Sequence, residues 1–160
     1  MGPGGAGKST LARTLGERTG LPVVHLDRYF WHPGWVETPH EEWRALQEQL
    51  FAADEWVADG NYSATNEVRL RRADTVVLLD FPAWRTIPRA LRRSLANYGK
   101  PVQAEGCPER VDPQFLWWIV NYRRRSRPKV LAAITEHAPG AAVYILHSPG
   151  DVERFLAEVP

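Results

Sequence analysis

Apolar residues in this chain gather in four short runs, and between the runs they recur at helical spacing. The runs are residues 22–27 (PVVHLD), 55–59 (EWVAD), 73–80 (ADTVVLLD) and 141–147 (AAVYILH). Each reads as a buried strand, and the nearly unbroken apolar character of 73–80 is that of a strand covered on both faces. The intervening stretches read as helices. One runs over 9–19 and is closed by Gly20. Another runs over 38–53, opened by a capping box (TPHE) with Pro39 at the first helical position. Helices are also expected over 85–97, with Pro88 near the first turn, and over 112–125, capped by Asp112 ahead of Pro113. Pro128 interrupts or restarts the pattern before 131–137, and Ser148-Pro149-Gly150-Asp151 opens a last helix. Strands alternating with helices predict an α/β chain with a parallel sheet. No internal repeat divides it, so residues 1–160 are expected to form one domain.

Composition narrows the setting. At 160 residues the chain is long enough for a real core. No run of about 18 apolar residues marks a membrane span, and no basic-then-apolar leader opens the chain. Cys107 is the single cysteine, which excludes an internal disulfide and fits a reducing, cytoplasmic setting. As a thiol it reads as an incidental loop residue. The net charge of +1 conceals an uneven distribution: residues 85–129 carry 11 basic and 3 acidic side chains, whereas 1–84 carry 8 and 12. Such a block can grip the phosphates of a nucleotide or of nucleic acid, or form a solvated basic face. Two basic helices joined by the loop at 99–111 have the makings of a lid.

The candidate chemistry lies at the start of the chain. Residues 2–9 (GPGGAGKS) form a complete G-x-x-x-x-G-K-S loop, directly followed by the first helix. Glycines let successive backbone N–H groups cradle phosphate oxygens, and the helix N-terminus adds its positive dipole end. Lys8 then reaches the β- and γ-phosphates, and Ser9 ligates Mg²⁺. A buried strand normally leads into such a loop, and none precedes Gly2 here. Two explanations stand: a start set too late, with Met1 at the strand's last apolar position, or a naturally shortened protein with weakened nucleotide binding. The first is the expectation, because the rest of the chain reads as built around that strand.

The loop, together with HLDRYFWHPGW (25–35), TPHEEW (38–43), WVADGNYS (56–63), DTVVLLDFP (74–82), EGCPER (105–110) and NYRRRSRPKVL (121–131), resembles the P-loop kinases of the adenylate-kinase-like group. Within that group the chain is similar to the small bacterial DNA topology modulation proteins. The resemblance covers nearly the whole chain apart from the strand ahead of the loop. It implies a three-layer P-loop NTPase fold whose parallel sheet has the order 2-3-1-4-5, with the first strand missing, and a basic lid inserted at about 85–129. Carried over by position, Gly2, Gly4, Gly5, Gly7, Lys8, Ser9 and Thr10 bind ATP and Mg²⁺, and Asp59 orients the metal through water. Arg89 and Arg93, four apart on one helix face, begin the lid and bind phosphates. Arg124 and Arg127 stand for the returning lid arginines, alongside Arg123 and Arg125; which of the four point inward stays open. The implied activity is transfer of the γ-phosphoryl of ATP to a small-molecule or nucleotide acceptor, with Lys8, Asp27, Arg89 and Arg93 as the catalytic set.

Departures from the pattern bear on the acceptor. Adenylate kinases follow their Asp-Gly with an arginine that holds the acceptor nucleotide, whereas Asn61-Tyr62-Ser63 follows here. Asp27 either orients or deprotonates an acceptor hydroxyl or pairs with a neighbouring cation such as Arg28. Asp80 reads as a turn residue. Trp31 and Trp35 either pack or stack on a planar substrate, while Trp43, Trp56, Trp117 and Trp118 read as core. His25, His32 and His40 have no zinc-ligand spacing, no Asn-Lys-x-Asp motif reads guanine, and no DNA-reading motif is present. The alternative function is a nucleotide-binding regulator acting on DNA without small-molecule kinase activity. It rests on the basic segment and on what the resemblance implies. The expected partners are ATP and an unidentified acceptor; the oligomeric state is not legible.

Overall fold

In a computed structural model that describes residues 1–159, the chain passes from the glycine-rich loop directly into α1 (Lys8–Thr19), which stops at Gly20. β1 (Val23–His25) leads into a single turn, α2 (Asp27–Phe30), and a small antiparallel hairpin of β2 (Trp31–His32) and β3 (Val36–Glu37). Next come α3 (His40–Leu50), β4 (Val57–Asp59), a 3-10 turn (Ser63–Thr65), α4 (Asn66–Leu70) and β5 (Thr75–Leu79). The basic region forms α5 (Ala83–Ala96), a loop, α6 (Pro113–Arg125) and α7 (Arg127–His137). β6 (Ala142–Leu146) and α8 (Pro149–Glu158) follow. All four apolar runs are strands, and the chain is mixed α/β.

The parallel pairing is split. β1 pairs with β4, His25 opposite Asp59, and β5 pairs with β6, Leu79 opposite Leu146. The single large parallel sheet expected from the sequence is not formed; there are two parallel pairs, each of two strands. β4 and β5 do not pair, and Met1 lies along the edge of β5 that faces away from β6. Its amine donates to the Val77 carbonyl at 2.7 Å, and the Leu79 N–H donates to the Met1 carbonyl at 2.9 Å.

β5 is buried on both faces, as its continuous apolar run requires. Val76 and Leu78 pack with Leu70, Val130, Ile134 and Ala138 from α4 and α7. Leu79 packs on the other side with Ala6, Leu11, Leu146 and Phe155, joining the loop, α1 and α8. A third cluster, Leu26, Trp43 and Phe51, seats α3 against β1 and β4.

Helix starts follow the sequence in two places. Asp112 accepts from the Gln114 and Phe115 N–H groups ahead of Pro113, and Ser148 with Asp151 closes a reciprocal capping box on α8. The capping box expected at 38–41 does not form. Pro39 takes the cap position of α3, and the Thr38 hydroxyl instead donates to the Phe30 carbonyl at 2.6 Å, fastening the hairpin. α5 starts at Ala83, so Pro88 falls inside the helix rather than at its first turn. Pro128 restarts the chain as α7 after a one-residue break at Ser126. Trp43 is core, but Trp117, expected in the core, is 54% exposed with the Arg125 guanidinium over its ring. Among the described residues no helix is long and apolar enough to cross a membrane.

Candidate functional site

The glycine-rich loop curls over the start of α1, and α5 and α6 press against its outside. A Cβ on Gly4 would meet the Phe115 ring at 2.3 Å, and one on Gly5 would meet the Thr86 carbonyl at 2.2 Å. These two positions are glycine because helices pack against the loop. Gly7 differs. It caps α1 at φ +93, a left-handed conformation that favours glycine, and a Cβ there would meet nothing within 4 Å. No side chain caps α1, so the N–H groups of its first turn have neither an intrahelical partner nor a cap. That helix end opens on a cavity of about 600 Å³, a size suited to a small-molecule ligand.

Gly5, Gly7, Lys8, Ser9, Thr10, Asp27, Asp59, Arg89 and Arg93 all line this cavity, along with His25, Arg28 and Gln103. Lys8 donates from Nζ to the Pro3 carbonyl at 3.0 Å. Burial depresses its pKa, while Asp59 and Asp27 oppose the fall. Asp59 ends β4, directly across from His25 on β1, whose Nδ1 lies 3.2 Å from Asp59 Oδ2. Burial pushes the Asp59 carboxyl upward, but the His25 hydrogen bond, Lys8 and Ser9 outweigh it and hold the group below the usual carboxylate range. His25 was invisible as a partner in the sequence, because only the strand register sets it opposite Asp59. Asp27 opens α2 and accepts from the Tyr62 hydroxyl at 2.5 Å. Its partner is that phenol, and no ion pair with Arg28 occurs among the described residues.

Arg89 and Arg93 share a face of α5 toward the cavity. Glu109, 4% exposed, accepts from Arg93 at 3.4 Å, Ser94 at 2.8 Å and Gln103 at 2.9 Å. It thereby fastens the loop after α5 back onto that helix.

The other expected residues lie elsewhere. Gly2 is held to Asn61, donating to its side-chain oxygen at 3.0 Å and accepting from its amide at 2.7 Å. Arg124 is exposed at the end of α6. Arg127 donates to Asp80 Oδ2 at 2.9 Å, and Arg123 grips the same carboxylate with two bonds at 3.0 and 3.1 Å. Asp80 is fully buried, with His147 Nδ1 at 3.4 Å. It is a structural anchor rather than a turn residue. Trp31 and Trp35 pack edge to face at 5.4 Å, and Trp35 donates to the Pro108 carbonyl. Buried Cys107 donates from Sγ to the His32 carbonyl at 3.1 Å.

Among the described residues no group of three or more His, Cys, Asp or Glu could hold a metal by itself. The donor set suits Mg²⁺ all the same. The ion keeps several waters and takes one or two carboxylates plus substrate phosphates, and Ser9 and Asp59 lie side by side at the foot of the cavity. The chain matches no protein-family model and no curated protein. Its function is therefore argued from the site.

Proposed function

We propose that this chain is a P-loop phosphotransferase that binds ATP with Mg²⁺ and passes the γ-phosphoryl to a small acceptor. One observation carries the reading. An uncapped helix N-terminus, preceded by G-x-x-x-x-G-K-S, opens on a cavity that also gathers two carboxylates and two arginines of a neighbouring helix. The chain's likeness to adenylate-kinase-like kinases and DNA topology modulation proteins supports it from the sequence side. So do the two parallel pairs, β1 with β4 and β5 with β6, which match the 2-3 and 4-5 neighbours of a sheet of order 2-3-1-4-5. A cytoplasmic setting belongs to the same reading.

Phosphoryl transfer asks for positioning and positive charge more than covalent help. In this reading the α1 N-terminus and the loop amides hold the β- and γ-phosphates, with Lys8 turning from Pro3 to meet them. Ser9 would hold Mg²⁺, with Asp59 reaching it through water, and the ion would supply positive charge to the phosphates. His25 fixes the Asp59 carboxylate. Arg89 and Arg93 stand over the transferring group, and Glu109 sets how far Arg93 can swing. Asp27, oriented by the hydrogen bond it accepts from the Tyr62 hydroxyl, would take the proton of an acceptor hydroxyl.

Calorimetry with ATP–Mg²⁺ on the protein and on Lys8→Ala tests this directly. A loss of at least about tenfold in affinity is expected, together with loss of ATP-dependent phosphate transfer; equal binding by the two proteins sinks the reading.

A nucleic-acid role is the second reading, and one observation favours it. Trp84 and Trp117 are exposed on α5 and α6, and each carries an arginine over its ring, Arg85 at 4.9 Å and Arg125 at 4.7 Å.

A further inference from the structure

α5 presents three different faces around its circumference. Thr86, Ala90 and Ser94 recur every fourth residue and are buried, Thr86 and Ala90 against the glycine-rich loop and Ser94 against Glu109. Trp84, Pro88, Leu91 and Leu95 recur at i, i+4, i+7 and i+11, so they share the outer side. Trp84 is 70% exposed, Leu95 66% and, just past the helix end, Tyr98 69%. Arg85 and Arg92 border this apolar stripe, while Arg89 and Arg93 lie further round and line the cavity. The helix carries no acidic residue. Its 14 residues make a ridge about 21 Å long. The exposed parts of Trp84, Leu95 and Tyr98 amount to on the order of 400 Å². An apolar patch of that extent, rimmed by charge, marks a surface that binds something.

Shape and charge choose the occupant. The stripe is a convex ridge rather than a groove, so it suits a flat and yielding surface. Its middle is aliphatic, and Leu91 and Leu95 offer no ring on which a base can stack. A second copy would bring two basic helices together, in a segment that holds 11 basic and 3 acidic side chains over 85–129; like charges oppose that contact. A layer of anionic phospholipid meets both parts of the face. Leucines enter the acyl boundary, aromatic rings at the two ends of the stripe sit at headgroup level, and arginines reach the phosphates. The Arg85 guanidinium already lies over the Trp84 ring, 4.9 Å from its centre.

We propose that the outer face of α5 is a peripheral docking surface for anionic phospholipid membranes. The helix lies in the plane of the interface, with Trp84, Leu91 and Leu95 inserted and Arg85 and Arg92 at the headgroups. Arg89 and Arg93 point elsewhere on the helix, so docking does not draw them from the cavity.

This inference concerns the outer surface and needs no bound nucleotide, so it stands or falls apart from the phosphotransferase reading. Sedimentation with vesicles of mixed phosphatidylcholine and phosphatidylglycerol tests it, beside vesicles of phosphatidylcholine alone. The protein is expected to bind the anionic vesicles at least about tenfold more tightly, and less so as salt rises. Trp84→Ala with Leu95→Ala is expected to lower that affinity about tenfold or more, as is Arg85→Gln with Arg92→Gln. These side chains lie on the outside of the helix, so thermal melts of both double variants should match that of the parent. Absence of binding to either kind of vesicle overturns the proposal. So does binding that persists in Trp84→Ala with Leu95→Ala, which would reduce it to the general attraction of a basic protein. If vesicles do not bind but that variant loses single-stranded DNA binding, or breaks a dimer, the face belongs to nucleic acid or to a second copy and the proposal fails.

Discussion

Gly5 and Gly7 lie two positions apart in one loop, yet substitution should separate them. Alanine at Gly5 combines a left-handed φ of +76 with a Cβ 2.2 Å from the Thr86 carbonyl. Gly5→Ala is expected to cost roughly 3 kcal/mol or more of stability by denaturant unfolding. Gly7→Ala meets no atom and should cost only about 1–2 kcal/mol for its backbone, while weakening ATP binding because the methyl stands at the cavity. Met1 offers a pH test. Burial, and then Lys8, pull its amine from 8.0 to about 5. Between those values the unfolded chain holds a proton that the folded chain lacks, so protonation favours unfolding. Stability should therefore rise from pH 5 to pH 8, by on the order of a few kcal/mol, and this component should vanish when the amine is acetylated. Melts of both forms at pH 5, 6.5 and 8 would check it. The sequence singled out Lys8 and Ser9 from the spacing of the loop, and Asp27 and Asp59 through the family resemblance. It could not name His25 or Tyr62 as their partners, because register and a loop's path decided those contacts.

The elements are joined by a few buried acids. Asp80 draws together the end of β5, the end of α6, the start of α7 and His147 after β6. Burial pushes its carboxyl up, but Arg123 and Arg127 outweigh it and hold the group below the usual range. Its stabilising contribution is therefore full above the ordinary carboxylate pKa and lost as pH falls through the lower folded value. Asp80→Asn removes the charge that two arginines share and is expected to cost about 2–4 kcal/mol, read as a lower unfolding midpoint. ATP binding should change little, since none of these side chains lines the cavity. Most elements were legible because caps and apolar runs are local signals: Asp112-Pro113, Ser148 with Asp151, and the continuous run of β5. The box at Thr38 failed because α3 starts one residue later, with Pro39 at the cap position, and Thr38 is turned to the hairpin, where its hydroxyl donates to the Phe30 carbonyl. Arg127 was read as a nucleotide ligand because arginine spacing does not reveal the acid that will claim it.

Across the whole molecule, charge and aromatic exposure bear on the choice between the two functional readings. Of the basic residues of 85–129, Arg89 and Arg93 face the cavity, Arg123 and Arg127 serve Asp80, Arg85 and Arg125 lie over exposed tryptophans, and Arg92, Lys100, Arg110, Arg124 and Lys129 are exposed. A solvated basic face of this kind, with no motif that reads bases, should bind single-stranded DNA no more tightly than the general attraction of a basic patch, about 10⁻⁴–10⁻⁶ M at physiological salt. Fluorescence anisotropy at two salt concentrations measures this. Tight binding that survives Arg89→Ala with Arg93→Ala, but not Trp117→Ala, would instead favour the nucleic-acid reading. By itself the sequence determined the alternation of strands and helices, the glycine-rich loop ahead of α1 and the types of residue able to do chemistry, because each is written in neighbouring positions. The tertiary structure alone decided that the parallel pairing divides into two pairs, which arginines face the cavity, and which bind Asp80. Those outcomes depend on backbone edges and buried charges finding partners far away in the chain, and no local pattern encodes which partner arrives.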